Sequence, residues 1–315
     1  MARILITHGV PREGFAILAQ QGHTVIMPAH LSSFSMEELA QHIQDADAVI
    51  ALGKLPGEII RMGKRVKIIA NYGAGYDGVD VKAAAECGVP VTNTPDAVTQ
   101  DTAELALGLM LSVSRRIGEM NLRLRREAPE SLFGMGRNMG KSLMGATLGI
   151  IGCGRIGCLT AQMAKAFGMQ VLGYSRRRAD PAYVIPASMD EILEKADIVS
   201  LHCPLTEETR GLIGAKEFAK MKKGAILINT ARGPVVDEEA LLAAMESGQL
   251  SGAGLDVYPD EPHIHPALLS HDRIVCVPHI GTNTEQTRFL MAHTCARQVL
   301  CALSGNRPEN IVNGL

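Results

Sequence analysis

The sequence predicts an α/β protein made of two doubly wound parallel-sheet domains, and three observations predict it. Short apolar β-rich runs alternate with helix-length segments nearly from end to end, which is the pattern of parallel strands wrapped by helices. Those runs fall into two series separated by one long apolar helix. The chain has 315 residues, 46% of them hydrophobic, so it exceeds one ordinary domain and can fill two cores.

Taken in order, the first series places strands at 4–7, 24–27, 48–52, 67–71 and 89–92, with helices such as 11–21 and 36–45 between them. A helix at 99–116 follows, opened by Thr99 as N-cap, and its apolar stretch 105–111 carries the chain out of the first domain. The second series places strands at 147–151, 170–174, 197–202, 225–229, 252–256 and 274–277, the six of a full doubly wound sheet. A last helical pattern at 285–304 has no strand behind it and is expected to pack back on the first domain. The predicted domains are therefore 1–98 plus 287–315, and 99–286. Residues 121–140 are charged and then rich in Gly and Met; they read as a projecting loop, either an arm that embraces a second subunit or a solvated surface.

Composition excludes several function classes. Lysine plus arginine number 31 against 33 acidic residues, a net charge of −2, so no global field favours nucleic acid or an anionic membrane. The apolar run after Arg3 is too short for a signal peptide, and no uncharged stretch approaches the ~20 apolar residues of a membrane helix. Seven cysteines are scattered without a C-x-x-C pair, and read as small buried residues in a reducing cytoplasm. His263 and His265 form an H-x-H without a third ligand at a familiar spacing, so no metal site is expected.

The second series opens with a strand that runs into Gly152-Cys153-Gly154-Arg155-Ile156-Gly157 and then an amphipathic helix. Alone, G-x-G-x-x-G is a weak signal; between a buried strand and a helix it is the Rossmann phosphate-binding turn. Gly152 permits the turn, Gly154 lets a pyrophosphate approach bare backbone, and Gly157 lets the helix lie close. The helix N-terminus at Arg155 and Ile156 offers N–H groups and a positive dipole end. After the second strand of this series, where an NAD enzyme usually has Asp or Glu, stand Ser175, Arg176, Arg177 and Arg178. Donors and positive charge suit the 2′-phosphate of NADP(H), which is favoured, with NAD(H) possible; a solvated basic turn is the plainer alternative.

Three later strands end in polar segments, where open parallel sheets place their ligand crevice: 229–237, 256–262 and 277–282. Arg232 presents a planar fork that can hold a carboxylate and an adjacent carbonyl oxygen, which a lysine cannot do. His279 follows Pro278 at a strand end and suits a proton donor. Glu261 would stabilise its protonated ring, although an acid in a turn between Pro259 and Pro262 is also a common loop feature. Asp256 could accept from a nicotinamide amide or cap the turn that follows. Together these groups suit hydride transfer to a small 2-keto acid.

These segments resemble the D-isomer-specific 2-hydroxyacid dehydrogenase family, which includes glyoxylate and hydroxypyruvate reductases and phosphoglycerate dehydrogenase. The likeness covers nearly the whole chain, most specifically at 71–80, 92–95, the Gly152–Gly157 turn, 202–209, the Arg232 segment and 278–281. The resemblance implies two Rossmann-like domains, the first flavodoxin-like, with a substrate cleft between them. It implies that Ala74 and Gly75 give N–H groups to the substrate carboxylate, that Arg232 binds carboxylate and keto oxygen, and that His279 and Glu261 form the acid–base pair. On the cofactor side it implies Thr102, Cys203, Pro204, Thr209, Thr230, Ala231, Asp256, His279 and Gly281. It also implies a homodimer through the nucleotide-binding domain; relatives often carry a tryptophan in the dimer arm, and here Phe133, Met135 or Met139 must fill that place. The expected activity is an NAD(P)-dependent reductase of glyoxylate or hydroxypyruvate type. An NAD(P)-sensing corepressor-like binding protein and a formate or phosphite dehydrogenase are the alternatives on the same scaffold.

Overall fold

The computed structural model describes residues 1–176 and 179–315, so the expectation for Arg177 and Arg178 lies outside the described residues. The chain divides into two compact units, Met1–Val98 with Thr282–Leu315, and Thr99–Gly281. The chain re-enters the first unit at Thr282, earlier than the 287 read from sequence. The helix Glu285–Leu303 and its capping residue Thr284, whose side chain accepts from the Thr287 N–H, belong wholly to that unit.

In the first unit, β1 (Arg3–Ile6), β2 (Thr24–Ile26), β3 (Ala48–Ala51), β4 (Ile69–Asn71) and β5 (Val91–Thr92) form one parallel sheet in the order β2-β1-β3-β4-β5. This is the flavodoxin-like order, whose reversal lies between β1 and β3. Alternate residues serve opposite faces. Ile4, Ile6, Ala48 and Ile50 pack with Met291, Cys295 and Val299 of the C-terminal helix. Leu5, Val49, Ala51 and Ile69 pack with Leu39, Ile43 and Ile60 on the other side. Both faces are covered, so all four residues of β3 are buried and the strand reads as an unbroken apolar run.

In the second unit, β6 (Thr147–Ile151), β7 (Gln170–Tyr174), β8 (Ile185–Pro186), β9 (Ile198–Leu201), β10 (Ala225–Asn229), β11 (Leu250–Leu255) and β12 (Ile274–Cys276) form a parallel sheet in the order β12-β11-β10-β9-β6-β7-β8. Leu148, Ile150, Ile226 and Ile228 face Leu109, Met110 and Val113, while Val199, Leu201, Leu227 and Leu255 face Leu193, Phe218 and Leu241. Strand order reverses at β6, flanked by β7 and β9, which places a crevice at the carboxyl ends of these strands. The seventh strand, β8, escaped the sequence reading because it is two exposed residues at the sheet edge, too short for any period to register.

Two further differences have local causes. The helix expected at 99 begins at Pro95 and runs to Ser114; a proline has no N–H to leave unpaired and its φ suits the first turn. The segment read as a projecting loop from 121 contains the helices Ile117–Arg126 and Pro129–Leu132. In the first of these, Glu119 stands near the start and Arg123, Arg125 and Arg126 at the end, which complements the helix dipole while masking the apolar period. Among the described residues no helix is long and apolar enough to cross a membrane.

Candidate active site

The Gly152–Gly157 turn leaves β6 and enters the helix Arg155–Ala166. Gly152 has φ +104, and a Cβ there would lie 2.5 Å from the Cys203 nitrogen and 2.6 Å from the His202 carbonyl carbon. Only glycine lets this turn lie against the end of β9. Gly154 is the N-cap of the helix, has no side-chain cap, and has no other atom within 4 Å of where its Cβ would stand. Backbone is thus bare where an anion could approach a helix N-terminus. Two buried polar atoms at strand ends of this sheet lack a hydrogen-bond partner: His202 Nδ1 after β9, whose backbone abuts Gly152, and Thr230 Oγ1 after β10. Burying such groups unpaired is costly, so a bare glycine cradle with unpaired polar atoms at the ends of the neighbouring strands fits a bound dinucleotide.

The other predicted cofactor contacts sit at the same carboxyl edge of this sheet. Cys203 is buried, its thiol pushed up to about 11 by burial. Thr209 spends its hydroxyl inside the loop, donating to the Pro204 carbonyl at 2.6 Å and accepting from the Thr206 N–H at 2.8 Å. Thr102 is buried and donates to the Gly281 carbonyl at 3.3 Å. Arg176, exposed after β7, stands 3.6 Å from the Glu208 carboxylate.

Arg232 follows β10 through a turn that Asn229 holds at both ends: its Oδ1 accepts from the Ala231 N–H at 3.0 Å and its Nδ2 donates to the Arg232 carbonyl at 3.0 Å. Arg232 itself is extended, with φ −148, and Nη1 donates to the Ala231 carbonyl at 2.7 Å. The next residue, Gly233, touches the backbone of the loop after β11; a Cβ there would fall 1.9 Å from the Tyr258 carbonyl carbon. That contact sets the arginine segment against the loop that carries Glu261.

Glu261 and His279 meet directly, Nδ1 to Oε2 at 2.7 Å, with side chains 36% and 48% exposed. The other Glu261 oxygen accepts the Tyr258 N–H at 3.0 Å. Burial alone would raise the Glu261 carboxyl, but the His279 and Tyr258 hydrogen bonds and the charges of His279 and Arg232 outweigh it and hold it below its ordinary value. Glu261 thus lies in the field of both His279 and Arg232. His279 has φ +50, uncommon for a non-glycine residue. It is held there because its N–H donates to the Asp256 carbonyl at 2.9 Å, while the Asp256 carboxylate accepts from Ile280 at 2.6 Å and Gly281 at 3.0 Å. The Asp256 carboxylate thus caps the distant turn that presents His279 and not the turn directly after Asp256. Burial pushes its carboxyl up against these hydrogen bonds.

In the first unit, Ala74 and Gly75 lie in the loop after β4. Asn71 Nδ2 donates to the Gly75 carbonyl at 2.9 Å and Asn93 Nδ2 to the Ala74 carbonyl at 2.8 Å, which orders the loop. Asn71, Asn93, Asn229 and Tyr258 are positioning residues that the sequence reading passed over. Tyr258 is buried, and its hydroxyl donates to the carbonyls of Leu255 at 3.2 Å and Val277 at 3.0 Å. An available signal was an amide or phenol at a strand end, where its hydrogen bonds must go to turning backbone. His263, by contrast, is exposed and 3.6 Å from Asp260, and among the described residues no group of three or more His, Cys, Asp or Glu is placed to hold a metal ion.

Comparison with known proteins adds the family. The model of the D-isomer specific 2-hydroxyacid dehydrogenase NAD binding domain matches residues 107–281. A glyoxylate reductase of Thermofilum pendens is 39% identical over 320 residues, covering 99% of this chain and 94% of that protein. The crystal structure of a glyoxylate reductase from Paecilomyes thermophila superposes with a TM-score of 0.88 at 32% identity, covering 99% of this chain and 98% of that one. An NADPH-dependent glyoxylate/hydroxypyruvate reductase from Sinorhizobium meliloti, in complex with NADP and malonate, gives a TM-score of 0.88 at 29% identity, covering 99% and 96%.

Proposed function

The chain belongs to the D-isomer specific 2-hydroxyacid dehydrogenase family, and on that premise we propose that it reduces glyoxylate or hydroxypyruvate, with NADPH as the favoured cofactor. The broader activity is that of an NAD(P)H-dependent 2-keto acid reductase, an oxidoreductase of the CH–OH group. A bound reduced nicotinamide supplies the hydride. The residues of the chain supply the rest.

The Arg232 guanidinium holds the substrate carboxylate and keto oxygen through its fork, which fixes the keto carbon and withdraws electron density from it. His279, protonated and backed by the Glu261 carboxylate, gives its proton to the alkoxide oxygen as charge develops there. Glu261 keeps the ring oriented and stabilises its charged form. Gly152, Gly154, Gly157, Arg155 and Ile156 form the pyrophosphate cradle; Ser175 and Arg176 take the ribose end, and Thr230, Ala231 and Thr102 the nicotinamide end. Small keto acids are favoured because the named relatives and neighbours act on glyoxylate and hydroxypyruvate.

The observation that carries this reading is the 2.7 Å Glu261–His279 hydrogen bond in the field of Arg232. A carboxylate-backed imidazole serves proton delivery to an alkoxide. Formate oxidation has no such need, and a cofactor-sensing binding protein has no use for it. The purified protein should oxidise NADPH with glyoxylate. His279→Ala should lower kcat by on the order of 10²–10⁴, and Arg232→Lys should raise KM by about tenfold or more, because charge survives but the fork does not. Full turnover by His279→Ala would remove the acid–base assignment.

A further inference from the structure

Arg176 follows β7 and Glu208 lies in the loop after β9, and both strands pair with β6, one on each side. Their ion pair, Nη1 to Oε2 at 3.6 Å, therefore bridges across the carboxyl end of β6, where the Gly152–Gly157 turn emerges. The carboxylate does not dangle. Thr206 Oγ1 donates to the same Oε2 at 2.6 Å, and Thr206 is itself tied to Thr209 through the 2.8 Å bond from its N–H. Both charges are largely exposed, at 62% and 70% of their side chains, so neither is needed to balance a buried partner.

We propose that Glu208 is a specificity-determining residue, an internal anion that occupies Arg176 and with which the ribose 2′-phosphate of NADP(H) must compete. The inference rests on the reading that Arg176 binds that phosphate. A phosphate monoester carries close to two negative charges and three acceptor oxygens, against one charge on the carboxylate, so it displaces Glu208 from the guanidinium. Displacement costs the ion pair and leaves Glu208 beside a like charge. A 2′-hydroxyl carries no charge to drive the exchange, so with a 2′-hydroxyl cofactor the pair stays closed. Glu208 thereby narrows the preference that Arg176 creates and keeps both cofactors usable. Hydrogen bonds from Thr206 and from its own backbone, with Arg176 beside it, hold its carboxyl below the ordinary range, so the competing charge is present at every pH at which the enzyme would work.

The test is binding, not turnover. Titration calorimetry with 2′,5′-ADP and with 5′-AMP compares the unaltered protein, Glu208→Gln and Arg176→Gln, each in low and in raised salt. Glu208→Gln should bind 2′,5′-ADP about twofold to fivefold more tightly, with 5′-AMP unchanged and the gain shrinking in salt. Arg176→Gln should weaken 2′,5′-ADP by about tenfold or more. If Glu208→Gln leaves 2′,5′-ADP unmoved, or tightens both ligands alike, while Arg176→Gln weakens it, competition by Glu208 is wrong and the NADP reading stands. If the unaltered protein holds 5′-AMP as tightly as 2′,5′-ADP and Arg176→Gln changes neither, the NADP reading itself fails and takes the inference with it.

Discussion

In the proposed mechanism Glu261 is the residue that backs the His279 ring, and its environment keeps it charged. Its carboxyl lies below its ordinary value despite the upward push of burial, since His279, the Tyr258 N–H and Arg232 all favour the anion. A depressed folded-state value means that the stabilisation from this pairing is complete above the unfolded carboxylate range. It is lost as pH falls through the depressed value. In the proposed mechanism, failure in acid therefore belongs to Glu261. Glu261→Gln keeps the shape and removes the charge, so the acid-sensitive stabilisation that this carboxylate contributes should disappear and turnover of glyoxylate should fall. Urea unfolding and turnover followed from neutral pH into acid on the two proteins check this, and unaltered turnover by the variant removes Glu261 from the mechanism. The pairing of Glu261 with His279 was legible in sequence because both stand in polar segments that follow apolar strands. Their braces were not. Asn229 and Tyr258 bond to backbone atoms whose position depends on the turn, and nothing in residue spacing announces that His279 adopts φ +50.

At the level of elements, the segment after the helix Pro95–Ser114 is where sequence and structure part most. A charged stretch followed by Gly and Met reads as an unstructured projection, yet it is ordered by ionic and amide contacts. Glu119 is buried and accepts from Arg116, with Arg123 at 3.7 Å and Arg273 at 3.5 Å. Arg273 immediately precedes β12, so this carboxylate ties the helix Ile117–Arg126 to the sheet. Further on, Asn138 Nδ2 donates to the Leu132 carbonyl at 3.0 Å, and Lys141 Nζ donates to the carbonyl of Gly224 and to Ser251. Three arginines around one acid look like a solvent-facing charge run, since burial of the acid depends on Arg273 arriving from far along the chain. Burial would raise the Glu119 carboxyl, but the arginines hold it below its ordinary value, so its stabilisation persists at neutral pH and fades as pH falls through the depressed value. Glu119→Gln should cost about 1–3 kcal/mol at neutral pH, measured by urea unfolding, and much less in acid. Equal losses at both pH values would mean that shape, and not charge, anchors this helix.

For the whole molecule, the same ordered segment leaves several large apolar side chains exposed to solvent. Leu122, Leu124, Phe133, Met135, Met139 and Met144 are all exposed, Phe133 at 73% and Met139 at 74%. Scattered apolar residues are ordinary on a protein surface, but a run of them on one anchored segment is the mark of a surface that another molecule covers. The segment lies in the unit that carries the dinucleotide-binding family match, and a second copy of the chain is the occupant we infer, since two identical surfaces related by a two-fold axis can bury one another. The near-balance of charge, −2 over the chain, places little long-range repulsion against self-association. Sedimentation velocity over a range of concentrations should therefore give a dimer. Phe133→Lys with Met139→Lys should shift it to monomer without loss of folded signal, because neither side chain fills a core. A wild-type protein that stays monomeric at the highest concentration, or a double variant that dimerises as before, would leave this apolar surface without the partner assigned to it.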